Sequence, residues 1–272
     1  MKKKKKEKKR WIKNKTLRVS IKIFLITFLA VCCICAGLLL GVVAGCILTT
    51  QPLTDIDLKI SDLTSTIYDS KGNVIQTFTG TDYSNSEWAN YDEVPKNLIK
   101  GLIDIEDERF YKHSGIDIKR TIGAGLSFFI PGMGNYGGST ITQQVVKNVT
   151  GDDARSVPRK IREQWRAIQL ERTHSKEEIL EIYVNVIAMG HNMTGVKIAA
   201  KAYFNKDLSE LSLAECALLA GITNNPSKYD PFTTTGRANA IKRQELILKK
   251  MLDLGDITED DYNAALKEEL HF

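Results

Sequence analysis

Two glutamates fall at positions directed toward apolar neighbours, where a carboxylate can do acid–base chemistry. Glu106 lies in "NLIKGLIDIEDERFYKHSG", three residues after Ile103 and four after Leu102. On a helix these three share one face, and Asp107 is turned about 100° away. Burial disfavours the charged form of a carboxylate. A Glu so tuned can exchange protons near neutral pH, as a general acid or base must. The structural alternative is a helix-end Glu paired with Arg109 or Lys112. Glu163 lies in "RKIREQWRAIQLER", on a stripe with Ala167 and Leu170 and roughly opposite the stripe of Ile161, Trp165 and Ile168. Arg159, Arg162 and Arg166 share a third, polar face. Arg155, Arg159, Lys160 and Arg162 supply the positive charge a pyrophosphate needs, although a solvated basic face reads the same way.

A third group is "GGSTITQQVVKN", residues 137–148. Its two glycines permit close backbone approach. Ser139, Thr140, Thr142, Gln143 and Gln144 then offer donors and acceptors suited to sugars or phosphates. Lys147 follows Gln143 by four and Gln144 by three, so a helix would bring the three to one face. An ordinary capped helix start is the alternative. His113 precedes Ser114 and Gly115 at an expected helix end, where a histidine can act as a C-cap. No other His or Cys has metal-ligand spacing, which argues against a structural zinc site.

The elements that must position these groups are mostly helical. Apolar residues repeat at three and four through "NLIKGLIDIED" behind Pro95, a first-turn proline. Further helices are expected from about Pro158, after Ser175 with Glu178 at capping-box spacing, and after Ser212 with Glu215 likewise. Two more are expected from Arg237 to Leu254, stopped by Gly255, and after Thr258. Residues 51–93 read as an extended lead-in with a hairpin about "SKGN", the only sheet signal. The apolar, Gly/Pro-rich stretch "SFFIPGMGNYGGS" (127–139) reads as a loop that dips into a membrane interface or folds onto the core.

Charge and hydropathy divide the chain. Its 272 residues carry a formal +5, the first 22 carry +11, and residues 23–272 therefore carry −6. The basicity belongs to the tail and does not indicate nucleic-acid binding. No charged residue occurs from Ile23 to Thr54. The uninterrupted apolar run there is long enough to span a bilayer, too long for a signal peptide, and lacks a cleavage site. The expected organisation is a basic cytoplasmic tail (1–22), a single-pass anchor (23–50), the lead-in (51–93) and a helical domain (94–272). The positive-inside rule puts the last two outside the cytoplasmic membrane. Four of the five cysteines lie in the anchor, which leaves Cys216 alone as a small core hydrophobe.

Five segments, in order over about residues 60–256, resemble the motifs of the family 51 glycosyltransferases, the peptidoglycan polymerases. They are "EDERFYKHSG", "GGSTITQQVVKN", "RKIRE", "KEEILEIYVN" and "KRQELILKKM", the last with Lys242 where the family has Arg. The resemblance implies a mainly α, lysozyme-like domain with a small membrane-facing jaw behind one transmembrane helix, in a bacterial cell membrane. The implied reaction polymerises lipid II onto a growing glycan strand with inversion and releases undecaprenyl pyrophosphate. By resemblance Glu106 is the general base and Glu163 the second essential carboxylate. Lys147, Arg155, Arg159, Lys160 and Arg162 would neutralise the pyrophosphate, with Mg²⁺ or Mn²⁺ as an optional bridge. Ser139, Thr140, Gln143, Gln144, Tyr183 and Asn185 would line the cleft, Asp107, Phe110 and His113 would join them in binding substrate, and Asp107 and His113 would also orient or support Glu106. Cell-wall synthesis and division proteins are the implied partners. The segment "NVIAMGHNMTGV" departs from the family pattern at Ala188, Asn192 and Thr194. Neither transpeptidase signature, S-x-x-K or K-T-G, occurs, so the chain is read as monofunctional or as a portion of a bifunctional protein. A glycan-cleaving muramidase and an inactive cell-wall scaffold are the competing readings.

Overall fold

The computed structural model describes residues 15–54, 57–58, 65–71, 74–78, 85–127 and 137–272. It divides into two units. The first comprises residues up to Thr50 together with Ser156–Arg162, and the second comprises Gln51–Arg155 and Glu163–Phe272.

The first unit is dominated by helix α1 (Lys15–Leu48). Within it, Leu17–Leu48 is long and apolar enough to cross a membrane. At 1.5 Å per residue this stretch runs about 48 Å, against a hydrocarbon core of about 30 Å. Its large apolar side chains, from Leu17 through Phe24 and Phe28 to Leu40, are exposed along its length.

In the second unit the central element is α8 (Leu213–Ile222), in which every residue from Ala214 to Ile222 is buried. A helix apolar on all sides must be surrounded. Helices α2 (Lys96–Asp107) and α9 (Thr234–Leu254) pack on it and on each other, and α10 (Glu259–Lys267) adds to the same layer. Cys216 is fully buried there, and burial, followed by the Glu215 carboxylate, pushes its thiol up to about 12. A second layer pairs α4 (Ile141–Thr150) with α6 (Lys176–Val186). Between the layers in sequence come α3 (Ile118–Ser127), α5 (Val157–Thr173) and α7 (Val196–Phe204). The expected capping boxes at Ser175 and Ser212 are present, and Thr258 caps α10. Helix α9 starts three residues before Arg237, because the Thr233 hydroxyl accepts from the N–H of Gly236.

Sheet is more extensive than the sequence signals. Strands β1 (Ser65–Tyr68) and β2 (Val74–Phe78) form the expected hairpin. A second sheet joins β3 (Asn85–Ser86), parallel to β5 (Met193–Thr194), which is antiparallel to β4 (Ala188–Gly190). The departing segment makes this hairpin: His191 and Asn192 both have positive φ, 50° and 57°, as a tight two-residue turn requires. His191 Nε2 then lies 3.2 Å from Asp230 Oδ1, and its ring packs edge-on against Phe232. The lead-in contributes to the core as well. Ala89 is fully buried, and its N–H and C=O are both met by the Asn185 side chain at 2.8 Å. Most of the apolar loop at 127–139, residues 128–136, lies outside the described residues.

Candidate active site

Helix α2 delivers Glu106 and Asp107 at its C-terminal end, and their burial reverses the expectation. Asp107 is fully buried and Glu106 only partly so. The helix buries Asp104 and Asp107 beside its apolar stripe, which a polar residue tolerates only when it is hydrogen-bonded. Asp107 meets that requirement. Its Oδ2 lies 2.9 Å from His113 Nε2 and accepts the Ile141 N–H at 3.0 Å, and its Oδ1 lies 3.4 Å from Arg120 Nη1. His113 does not cap α2: a 3₁₀ turn, Phe110–Lys112, intervenes, and His113 is the extended residue that closes that turn. The chain then turns at Gly115, whose φ is +90°. A Cβ there would stand 2.5 Å from the Ala167 carbonyl oxygen. The closeness of α5 accordingly requires glycine.

Further hydrogen bonds fix the start of α4 beside the end of α2. The Thr140 hydroxyl donates to the Gly115 carbonyl at 2.6 Å. Arg120 donates to the carbonyls of Glu106 and Gly137, both at 2.6 Å. Arg120 rides on α3, whose first turn is held by Asp117. Burial works to raise the Asp117 pKa, but the Arg109 guanidinium and the Arg120 N–H outweigh it and hold the carboxyl below the usual range.

The Glu106 side chain is 13% exposed. Its Oε2 accepts from Gln144 Nε2 at 2.9 Å. Its Oε1 is buried without a hydrogen bond and faces Arg243 Nη2 at 3.9 Å. The surroundings are thus an amide and a guanidinium, not the apolar wall expected from spacing. Tyr183 is fully buried nearby; burial first, and the Glu106 charge second, raise its hydroxyl well above the usual value. Arg243 was not singled out in sequence, although it is the Arg of "KRQELILKKM". It reaches Glu106 by passing Gly221, where a Cβ would come within 2.9 Å of Arg243 Cγ.

Other sequence candidates have mixed placements. Gln143 is buried and its Oε1 accepts the Thr140 N–H at 2.8 Å, completing the α4 cap. Phe110 is fully buried, with Lys176 Nζ 4.2 Å above its ring. Asn185 is buried, with its amide occupied by Ala89 and by the Glu181 carbonyl. Ser139 is half-buried, and Lys147 and Arg155 are exposed. Glu163 is buried with Ala167 and Leu170, the stripe expected of α5. Arg159, Lys160 and Arg162 group with the anchor helix in the first unit, whereas Arg155 and Glu163 belong to the second. Among the described residues, no group of three or more His, Cys, Asp or Glu side chains could hold a metal ion. The groups facing the Glu106 carboxylate are the Gln144 amide and the Arg243 guanidinium, which suit an anion at that position.

Comparison with known proteins finds similar sequences over most of the chain. A family model described as Transglycosylase matches residues 71–252. Penicillin-binding protein 1A of Clostridium botulinum is 39% identical over 97% of this chain and 32% of its own length. The protein of the same name from Neisseria flavescens is 40% identical over 85% of this chain and 29% of its own. That of Aquifex aeolicus is 39% identical over 76% of this chain and 28% of its own. The chain thus spans about a third of the length of the curated relatives it matches. A 2.6 Å crystal structure of penicillin-binding protein 1A from Haemophilus influenzae aligns with 77% of this chain and 21% of its own, at 24% identity and a TM-score of 0.44.

Proposed function

The chain belongs to the transglycosylase family, and from that premise we propose that it is a membrane-anchored peptidoglycan glycosyltransferase. In this reading the substrate is lipid II, a disaccharide-peptide on undecaprenyl pyrophosphate, and the product is a lengthening glycan strand. Glu106 takes the proton from the acceptor's sugar hydroxyl. The hydroxyl oxygen attacks the anomeric carbon of the lipid-linked donor, that carbon inverts, and undecaprenyl pyrophosphate leaves. Glu163 is the second carboxylate. Lys147, Arg155, Arg159, Lys160 and Arg162 neutralise the pyrophosphate, as guanidinium and ammonium groups do. The N-terminus lies in the cytoplasm and the second unit outside.

The observation that carries this reading is the state of the Glu106 carboxylate. One oxygen is oriented by Gln144 and the other has no hydrogen bond, which leaves it able to accept a proton while its orientation is fixed. The test is purified protein with labelled lipid II in detergent. Wild type should form glycan chains, and Glu106→Gln should lower the rate by about a thousandfold or more, the scale of losing a general base and its positioning. Cleavage of preformed glycan without chain formation would instead assign a muramidase. Inactive wild type that still binds lipid II would assign a scaffold.

A further inference from the structure

Glu171 is a buried carboxylate that the glycosyl-transfer reading does not use. It sits near the end of α5 with its side chain 5% exposed. Burying an anion costs several kcal/mol unless the geometry of its partners is good, and here each oxygen is matched. Oε1 accepts from the Thr142 hydroxyl at 2.6 Å. Oε2 lies 2.6 Å from Lys176 Nζ. Oε1 also faces His113 Nδ1 at 3.9 Å, a ring nitrogen that is buried without a hydrogen bond.

These partners lead to Glu106 by two routes. Thr142 stands on α4 two residues before Gln144, the donor to Glu106 Oε2. His113 bonds Asp107, the neighbour of Glu106, through its other ring nitrogen. Lys176 strengthens the second route, because its Nζ also donates to the His113 carbonyl at 2.9 Å and covers the Phe110 ring. One carboxylate therefore ties together α4, the 110–113 turn and the start of α6, which are the elements that flank the general base. A well-packed apolar residue would hold these elements together without the desolvation cost. What it would not do is fix direction, because a carboxylate with charged and hydroxyl donors sets angles as well as distances.

We propose that Glu171 is a positioning residue for Glu106, acting through Thr142 and Gln144 on one side and through His113 and Asp107 on the other. This rests on the glycosyl-transfer reading above. A group acting only on orientation affects the chemical step, and misplacement by about 1 Å costs on the order of a hundredfold. The test uses the full chain in detergent with labelled lipid II, assayed well below the melting transition. Glu171→Gln should lower kcat by about 10- to 100-fold and leave KM within about threefold. Thr142→Val removes the hydroxyl but keeps the side chain's size, and should lower kcat by a smaller factor, again without moving KM. The double variant should be no slower than Glu171→Gln alone, since both changes cut one path.

A merely structural role would lower melting temperature without this kcat coupling. The proposal is overturned if wild type polymerises and Glu171→Gln keeps its kcat within about twofold, or if the two kcat losses multiply. If Glu171→Gln does not fold, Thr142→Val decides alone: a lowered kcat supports the proposal, and an unchanged one overturns it. Wild type that forms no glycan would instead sink the underlying reading.

Discussion

Changing Asp104 to Asn should make the protein more stable than wild type by a margin that grows as pH rises from mild acid to alkaline. Asp104 is on α2, two residues before Glu106, with 4% exposure and a buried Oδ2 that has no hydrogen-bond donor. It borders a cleft of about 750 Å³ whose lining includes Ile99, Ile103, Tyr111 and Leu254. Burial is the main cause pushing its carboxyl up to about 7; the charge and hydrogen bond of Asp256 add to this, and Lys250 and Lys100 oppose it. Asp256 is itself held by Lys100 at 2.8 Å. Because the folded pKa lies above the unfolded one of 3.8, the folded state binds the proton more tightly. Stability therefore falls as pH rises between those values and levels off above the higher one. From pH 5 to pH 7 the ceiling is about 2.7 kcal/mol, at 1.36 kcal/mol per pH unit. Relaxation beside an open cleft brings this to about 1–2 kcal/mol. Asn cannot ionise and keeps a donor for Asp256, so its advantage over wild type should widen by about 1–2 kcal/mol between pH 5 and pH 8. For a domain of this size that is roughly 2–8 °C in melting temperature. Thermal unfolding of both proteins in the same detergent, at steps across that range, measures the gap directly. The variant-minus-wild-type difference cancels the titrating groups that do not interact with Asp104. A difference that stays flat within about 1 °C, or narrows as pH rises, refutes the reasoning.

Two further perturbations test the scaffold. Gly115→Ala combines a positive φ with a Cβ 2.5 Å from the Ala167 carbonyl oxygen, and should destabilise by about 3 kcal/mol or more; chemical denaturation should show an earlier midpoint with an unchanged slope. Asn185→Ala leaves the buried N–H and C=O of Ala89 without the partners they now have at 2.8 Å, at a cost of about 2–4 kcal/mol; amide exchange of Ala89 should accelerate while that of Leu218 in α8 changes only as far as global stability does.

The helices around the site were legible because their signals are local. Ser175 with Glu178 and Ser212 with Glu215 cap the helices they announce, and the stripe of Glu163, Ala167 and Leu170 is the buried face of α5. The hairpin at Ala188–Thr194 was not legible, because its two-residue turn uses His191 and Asn192 in the left-handed region and not the Asn-Gly pair that advertises such turns. The site divides along the same line. Spacing placed Glu106 at the end of a core helix, but it assigned the more buried position to Glu106 and not to Asp107. Apolar periodicity has no means of registering that a carboxylate goes inside when an imidazole, a backbone N–H and a guanidinium await it. Those partners come from residues 113, 141 and 120, and the groups that orient Glu106 come from residues 144 and 243. Arg243 is the sharpest case. Its pairing depends on α9 crossing α8 at Gly221, a contact between helices that no single-helix pattern encodes. The two charged side chains that most directly flank Glu106, those of Arg243 and the buried Asp107, are therefore placed by tertiary pairing. A single-site change that preserves every local helix signal can still displace them.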